Sequence, residues 1–198
     1  MKELKVRITF TEEILGTASG DPAIHEEFIA SKAPDAPSRK EEVAAIGVEE
    51  SIEKSMTIFP RNADGAPILF DYQIKGFFKD SCSMLARLKG DKESAKLKAY
   101  KKIIDGLIFV EPRTIPFVFD GEVRKCQRPL RGQTAQGERI ALANSETIPA
   151  GAYVDICVVM LDAAHEPAVR EWLDYGRLRG IGQWRNSGKG RFTWEEIV

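Results

Sequence analysis

Gly180-Ile-Gly-Gln-Trp-Arg-Asn-Ser-Gly-Lys-Gly-Arg-Phe192 is the stretch on which the reading of this chain turns. Four glycines and three cations, Arg185, Lys189 and Arg191, fall within thirteen residues. Glycine lets two backbones approach closely, and free N–H groups beside guanidinium and ammonium groups make a cradle for phosphate. A nucleotide-binding P-loop needs Gly, four residues, then Gly-Lys-Ser/Thr, between a strand and a following helix. Here five residues lie between Gly182 and Gly188, and Gly190 stands where Ser or Thr is required. The flanks are inverted as well. A helical pattern over Ala164 to Leu178 precedes the stretch, and a strand-like segment, Arg191 to Val198, follows it. A dinucleotide fingerprint fails for the same reason, because it too opens a helix. The glycines therefore belong to a loop that joins the last helix to the last strand.

Working back from that loop, Tyr153 to Leu161 is a strongly apolar strand, and Leu107 to Val110 and Ile115 to Phe119 are shorter ones. Residues 120–147 between them are polar, basic and poorly periodic. Ile74, Phe77, Phe78, Cys82, Leu85 and Leu88 recur at helical spacing, which predicts a helix over Tyr72 to Leu88 capped by Asp71. The basic segment Lys92 to Lys102 continues as another helix. Arg61-Asn-Ala-Asp-Gly65 is a turn, with Met56 to Phe59 a strand before it. Leu4-Lys-Val-Arg-Ile-Thr-Phe10 alternates apolar and polar, the pattern of a half-buried strand, and Glu12 to Gly20 reads as a loop. Pro22 opens a short helix to Ser31, Ala33-Pro-Asp-Ala-Pro-Ser38 breaks it, and Ser38 with Glu41 caps a second helix over Arg39 to Lys54. Residues 22–54 thus form an acidic helical insertion. With the insertions set aside the order is strand, helix, strand, strand, helix, strand. That predicts an α+β, ferredoxin-like (RRM-type) domain, a four-stranded antiparallel sheet backed by two helices.

At 198 residues the chain reads as one domain with a substantial core. No apolar run approaches the ~20 residues that span a bilayer, and Met1 to Arg7 lacks the apolar stretch of a signal peptide. Cys82, Cys126 and Cys157 are too few and too scattered for a disulfide framework or a zinc site, which points to a reducing cytoplasm. The net charge of −1 hides an asymmetry. Residues 1–71 hold 8 Lys and Arg against 14 Asp and Glu, whereas residues 72–198 hold 21 against 16. A basic C-terminal two-thirds is compatible with a polyanion-binding face.

Several segments occur in an order that resembles the RAMP superfamily of CRISPR-associated proteins, in particular its Cas7-like backbone subunits. Val6-Arg-Ile-Thr-Phe-Thr-Glu-Glu-Ile-Leu-Gly-Thr-Ala-Ser-Gly20 is similar to the family's first strand and glycine-containing loop. Phe59 to Gly76 resembles its turn, apolar stretch and "Ser-x-Lys-Gly" helix start, with Gln73 where Ser is usual. Ile148-Pro-Ala-Gly-Ala-Tyr-Val-Asp-Ile156 is similar to its "Pro-x-Gly-x-x-Phe" strand, and Gly180 to Phe192 to its glycine-rich loop. The resemblance implies a single domain over residues 1–198 that grips an RNA backbone. Residues 111–147 would be a basic thumb-like insertion and residues 180–192 the glycine-rich loop.

The residues expected at the RNA are Lys75 and Lys79 on the first long helix, Arg124, Lys125, Arg128 and Arg131 in the thumb, and Gly182, Trp184, Arg185, Gly188, Lys189, Gly190 and Arg191 in the loop. Trp184 either stacks on a base or packs beneath the loop. Expected partners are a crRNA-like RNA and Cas-type subunits, with self-association into a filament through a heterologous interface. No cofactor and no metal is expected. An anti-CRISPR protein of phage origin on the same fold is the second reading, because an acidic face over residues 26–53 imitates nucleic acid. A Cas6-like RNA endonuclease is the third. Its candidate general bases are His25 and His165, and Glu53, Asp21 and Asp35 are the carboxylates that would stand in for a Cas7-type cleaving Asp.

Overall fold

Leu4, Val6, Ile8 and Phe10 are fully buried while the residues between them are not, so the alternation in the sequence becomes one buried face of strand β1 (Lys2–Phe10). The computed structural model describes residues 1–20, 56–134 and 137–198, with backbone alone at 130–134 and 137–142. The predicted acidic insertion over residues 22–54, with His25, Asp35 and Glu53, and the neighbouring Asp21 lie outside the described residues. β1 pairs antiparallel with β10 (Tyr153–Met160) over eight positions, from Lys2 opposite Met160 to Thr9 opposite Tyr153. Its other edge pairs with β11 (Phe192–Glu196), and β10 pairs on its far side with β6 (Ile108–Glu111). The sheet order is β11-β1-β10-β6, all antiparallel. Helix α1 (Asp71–Leu85) enters between β1 and β6, and helix α4 (Glu166–Arg179) between β10 and β11. The chain is therefore a mixed α+β protein, and the core elements follow the predicted order.

The described residues fall into two compact units: residues 1–14, 60–122 and 148–198 form the first, and residues 15–59 and 123–147 the second. The core of the first is aromatic. Trp172 and Phe78 meet at 5.4 Å between ring centroids, and Phe192 meets Phe77 at 5.2 Å and Phe10 at 6.2 Å. α4 presents Ala168, Val169, Trp172, Leu173 and Gly176 to this core. Ser94 ties the short helix α2 (Glu93–Lys96) beneath it: Ser94 donates its N–H and hydroxyl to Glu171, at 3.0 and 2.6 Å, and accepts the Trp172 indole N–H at 3.0 Å. Each of these buried polar groups is paired, which removes the desolvation cost it would otherwise carry.

Sequence and structure differ in detail at several places, among them Glu12 to Gly20, expected as a loop, which holds two short strands at Ile14–Leu15 and Ala18–Ser19. The continuous helix expected over Lys92 to Lys102 is two helices, α2 and α3 (Tyr100–Leu107), parted by Ala99 at φ 55°. The N-cap of α1 is Phe70, whose N–H donates to the Gln73 side chain at 2.8 Å, and Asp71 is already the first helical residue. Residues 120–147, aperiodic in sequence, hold a long antiparallel hairpin in the second unit. Its strands are β8 (Arg124–Thr134) and β9 (Gly137–Ile148), in register from Arg124 opposite Thr147 to Thr134 opposite Gly137. Polar residues populate both faces of this hairpin, so no alternation of apolar residues marks it.

β9 is the hub of the second unit's sheet. β4 (Thr57–Ile58) runs parallel to it, with Thr57 opposite Ser145, and pairs in turn with β3 (Ala18–Ser19). Thr57 and Ser145 share a hydrogen bond of 2.7 Å between their hydroxyls, and the Glu146 carboxylate accepts the Phe59 N–H at 2.8 Å. The three remaining strands are β2 (Ile14–Leu15), which heads the order β2-β9-β4-β3, and, in the first unit, β5 (Ile68–Phe70) paired with β7 (Thr114–Pro116).

Two helical glycines make opposite demands. A Cβ on Gly176 would lie 2.1 Å from the Phe192 ring, which is fully buried among aromatic neighbours and has nowhere to go. A Cβ on Gly76 would meet nothing within 4 Å. Alanine exceeds glycine in helix propensity by about 1 kcal/mol, whereas overpacking a core costs about 1–3 kcal/mol. Gly76→Ala is therefore expected to raise the unfolding free energy by about 1 kcal/mol. Gly176→Ala is expected to lower it despite the same propensity gain, both read by urea unfolding.

Candidate nucleic-acid interface

The glycine-rich tail folds back on itself. Gly180, at φ 75°, closes α4, and its Cβ would sit 2.6 Å from the Lys189 carbonyl oxygen. A Cβ on Gly190 would lie 1.8 Å from the Ile181 carbonyl oxygen, and the Ile181 N–H donates to the Gly190 carbonyl at 2.9 Å. The two ends of the loop thus cross backbone to backbone, and only glycine fits at the crossing. Between them, Trp184 starts a single 3₁₀ turn, Arg185–Ser187, which Gly188 closes at φ 86°. Gly182, at φ 89°, turns the chain into that segment, and Trp184 is 38% exposed.

The loop is anchored by acidic partners whose pairing no sequence pattern announces. Asp80 of α1 accepts from Arg185 at 2.9 Å and from Arg179 Nε at 2.8 Å. Arg179 also donates to Asn186 Oδ1 at 2.9 Å, and its hydrogen bond to Asp80 raises its pKa further. Lys189 pairs with Glu13, whose carbonyl accepts the Gly190 N–H at 2.9 Å. The Arg191 carbonyl accepts the N–H groups of Thr11 and Glu12, at 2.9 and 3.3 Å, and its guanidinium lies alongside Gly188. Two of the three tail cations are therefore held by carboxylates. Arg179 was missed by sequence reading; its only signal is a basic last turn of α4, where it also meets the negative end of the helix dipole.

Lys75 and Lys79 meet on α1 as expected from their spacing, and both reach α3. Lys79 lies 2.6 Å from the Asp105 carboxylate, and Lys75 donates to the Asp105 carbonyl at 3.1 Å and sits 5.1 Å over the Phe109 ring. The hydrogen bond from Lys79 holds the Asp105 carboxyl below its ordinary pKa. These pairs are solvent-exposed, so salt screens them and each contributes about 0–1 kcal/mol. They bias the lysines without removing them from solvent.

In the second unit, Arg124 and Lys125 open β8 with exposed side chains. Arg128, expected at the same surface, is buried and donates to Ser145 Oγ at 3.2 Å, so it holds the hairpin together rather than facing outward. Arg131 stands opposite Ile140 in the ladder. His165 is the residue before α4, and its side chain makes no capping hydrogen bond to that helix. No group of three or more His, Cys, Asp or Glu fit to hold a metal occurs among the described residues, and all three cysteines are free. No described helix is long and apolar enough to cross a membrane. The first unit also has a groove of about 670 Å³ bordered by Lys5, Glu111, Arg113 and Asp155. Its two cations and two anions offer a phosphate no net attraction.

No family model matches the chain, and no curated protein matches it. Solved structures do. A chain of a Type IV-B CRISPR complex aligns with a TM-score of 0.50 at 10% identity, covering 100% of this chain and 91% of that one. Cmr6 from Pyrococcus furiosus gives 0.47 at 10% identity, with 97% of each chain covered. A chain of the Type III-B Cmr-beta complex bound to cognate target RNA gives 0.45 at 13% identity and covers 100% of this chain. The present chain spans 60% of that Type III-B chain's length. What the Type IV-B alignment establishes is a common fold.

Proposed function

We propose that this protein is a non-catalytic RNA-binding component of a CRISPR-type ribonucleoprotein assembly, with Cas-type proteins as its partners. The observation that carries the reading is the fold shared, end to end, with a chain of a Type IV-B CRISPR complex. We take the first unit as the ferredoxin-like plan named in the sequence reading, since its strand order β11-β1-β10-β6 and two connecting helices fit that plan. Phosphate contacts supply affinity with little sequence choice, which suits a backbone-gripping role. Arg124 and Lys125 on the hairpin, Lys75 and Lys79 on α1, and Arg191 in the tail are the contacts in this reading. Of these, Lys79 must exchange Asp105 for phosphate, and Arg185 and Lys189 join by exchanging Asp80 and Glu13. No acid–base partner is positioned for His165 among the described residues, so the reading assigns it no catalysis.

Labelled single-stranded RNA titrated across a salt series tests this. Each phosphate contact contributes about −0.7 to the slope of log affinity against log salt on single strands. Replacing Arg124 and Lys125 together by Ala is expected to flatten that slope by about 1.4. An undetectable interaction at low salt, or a slope indifferent to these changes and to Arg185→Ala with Lys189→Ala, overturns the reading.

A second outcome concerns the internal competitors. Because Asp105 titrates below the ordinary carboxylate range, its pairing with Lys79 persists above that lowered pKa and is lost only as pH falls through it. Mild acid leaves the pair intact, and substitution is needed to open it. Asp105→Asn frees Lys79 and is expected to raise RNA affinity severalfold at low salt, with the gain fading toward high salt, in the same titration.

A further inference from the structure

Tyr72, Lys75 and Lys79 fall at intervals of three and four along α1, the spacing that lines side chains up on one helix face. Tyr72 is 59% exposed, more than any other large aromatic side chain among the described residues. Its ring is nevertheless fixed. It stacks on Phe70 with ring centroids 5.2 Å apart and planes 15° from parallel. The stack covers one face of the tyrosine ring and leaves the other to solvent.

The residue that would cover that open face is Gly76. A helical side chain leans toward the N-terminus and shields the surface over the preceding turn, so a side chain at 76 would lie back toward Tyr72. Packing does not call for glycine here, since a Cβ would meet nothing within 4 Å, and glycine in a helix interior carries a propensity cost. Bare backbone thus borders a pre-oriented aromatic ring. Lys75 shares this helix face, its ammonium held by the Asp105 carbonyl and the Phe109 ring, and exposed Arg113 sits with Asp71 at the same helix end, its carbonyl accepting the Asp71 N–H at 3.0 Å. Along this helix face the neighbours of Tyr72 are Lys75, Gly76 and Lys79, with Phe109 under Lys75, a surround that favours an anionic partner.

We propose that Tyr72 and Gly76 form a stacking shelf for one unpaired nucleotide base, with Lys75 and Arg113 beside the phosphates that flank it. This inference rests on the RNA-binding reading above and names a site within it. A base laid on the open tyrosine face would extend the Phe70–Tyr72 stack by one ring, with the glycine leaving room for the sugar. Stacking of this kind tolerates any base, because every base has a π-face.

The test is anisotropy titration of labelled oligouridine and oligoadenosine with the full chain and its Tyr72→Phe, Tyr72→Ala and Gly76→Leu variants, alongside thermal unfolding. Tyr72→Phe keeps its affinity within about twofold. Tyr72→Ala and Gly76→Leu each lose between about five- and a hundredfold, the range expected for one stacked base, with an unchanged salt slope because no phosphate contact is removed. Gly76→Leu adds a good helix former at an open position and retains thermal stability, so its loss of binding is not a loss of folding. If both variants bind like the parent while Arg124→Ala with Lys125→Ala still weakens binding, the shelf is refuted and the RNA-binding reading stands. If the parent chain binds no RNA, both fall.

Discussion

The pairing of β1 with β10 is the constraint on which the first unit depends. Eight consecutive residue pairs hold these strands together, and each then receives a second partner, β11 on one side and β6 on the other. The register fixes which side chains face inward, since a slip of one residue turns every side chain to the opposite face. Leu4, Val6, Ile8 and Phe10 share the buried side with Val154, Ile156, Val158 and Met160. α1 and α4 close over that surface through Phe77, Phe78 and Trp172. The tail's position follows: it must carry the chain from the end of α4 to the strand beside β1, and it does so through a glycine crossing too tight for any side chain.

Electrostatics in this protein are mostly settled inside it. Asp80 holds Arg179 and Arg185, Glu13 holds Lys189, and Asp105 holds Lys79. A phosphate entering these places must displace a carboxylate, so the net gain at each is smaller than the count of cations promises. The exposed Arg124 of the hairpin and the aromatic shelf on α1 stand outside this exchange among the described residues.

Much of the fold was legible because its period matched its burial. The alternation in Leu4 to Phe10 and the helical spacing of Ile74, Phe77, Phe78 and Cys82 each describe a surface that buries one side. The hairpin of β8 and β9 was not legible, since Arg124, Lys125, Gln127 and Arg128 supply no alternation of apolar and polar residues. The candidate site was legible as a set of cations and glycines but not as a geometry. Arg185 and Asp80 are 105 residues apart in sequence and Lys189 and Glu13 are 176 apart, and no local pattern encodes such pairs. The glycines of the tail were read as letting backbones approach closely and as freeing N–H groups for a phosphate; those at 180 and 190 serve the first purpose. Gln73 in place of the usual Ser shows the reverse case, a departure in sequence that the structure explains through its bond to the Phe70 N–H.

The ladder at the centre has a consequence for how the protein is made. β1 is synthesised well before both of its partners, since β10 and β11 begin at residues 153 and 192. At translation rates of about 5–20 residues per second the first strand waits roughly 10–40 s for its final neighbour. Throughout that interval its four apolar side chains have no sheet to join, and pairings this distant in sequence also close slowly once the chain is free. The nascent chain therefore carries an unpaired apolar strand throughout that interval, and whatever covers β1 until β11 emerges guards it against misassociation.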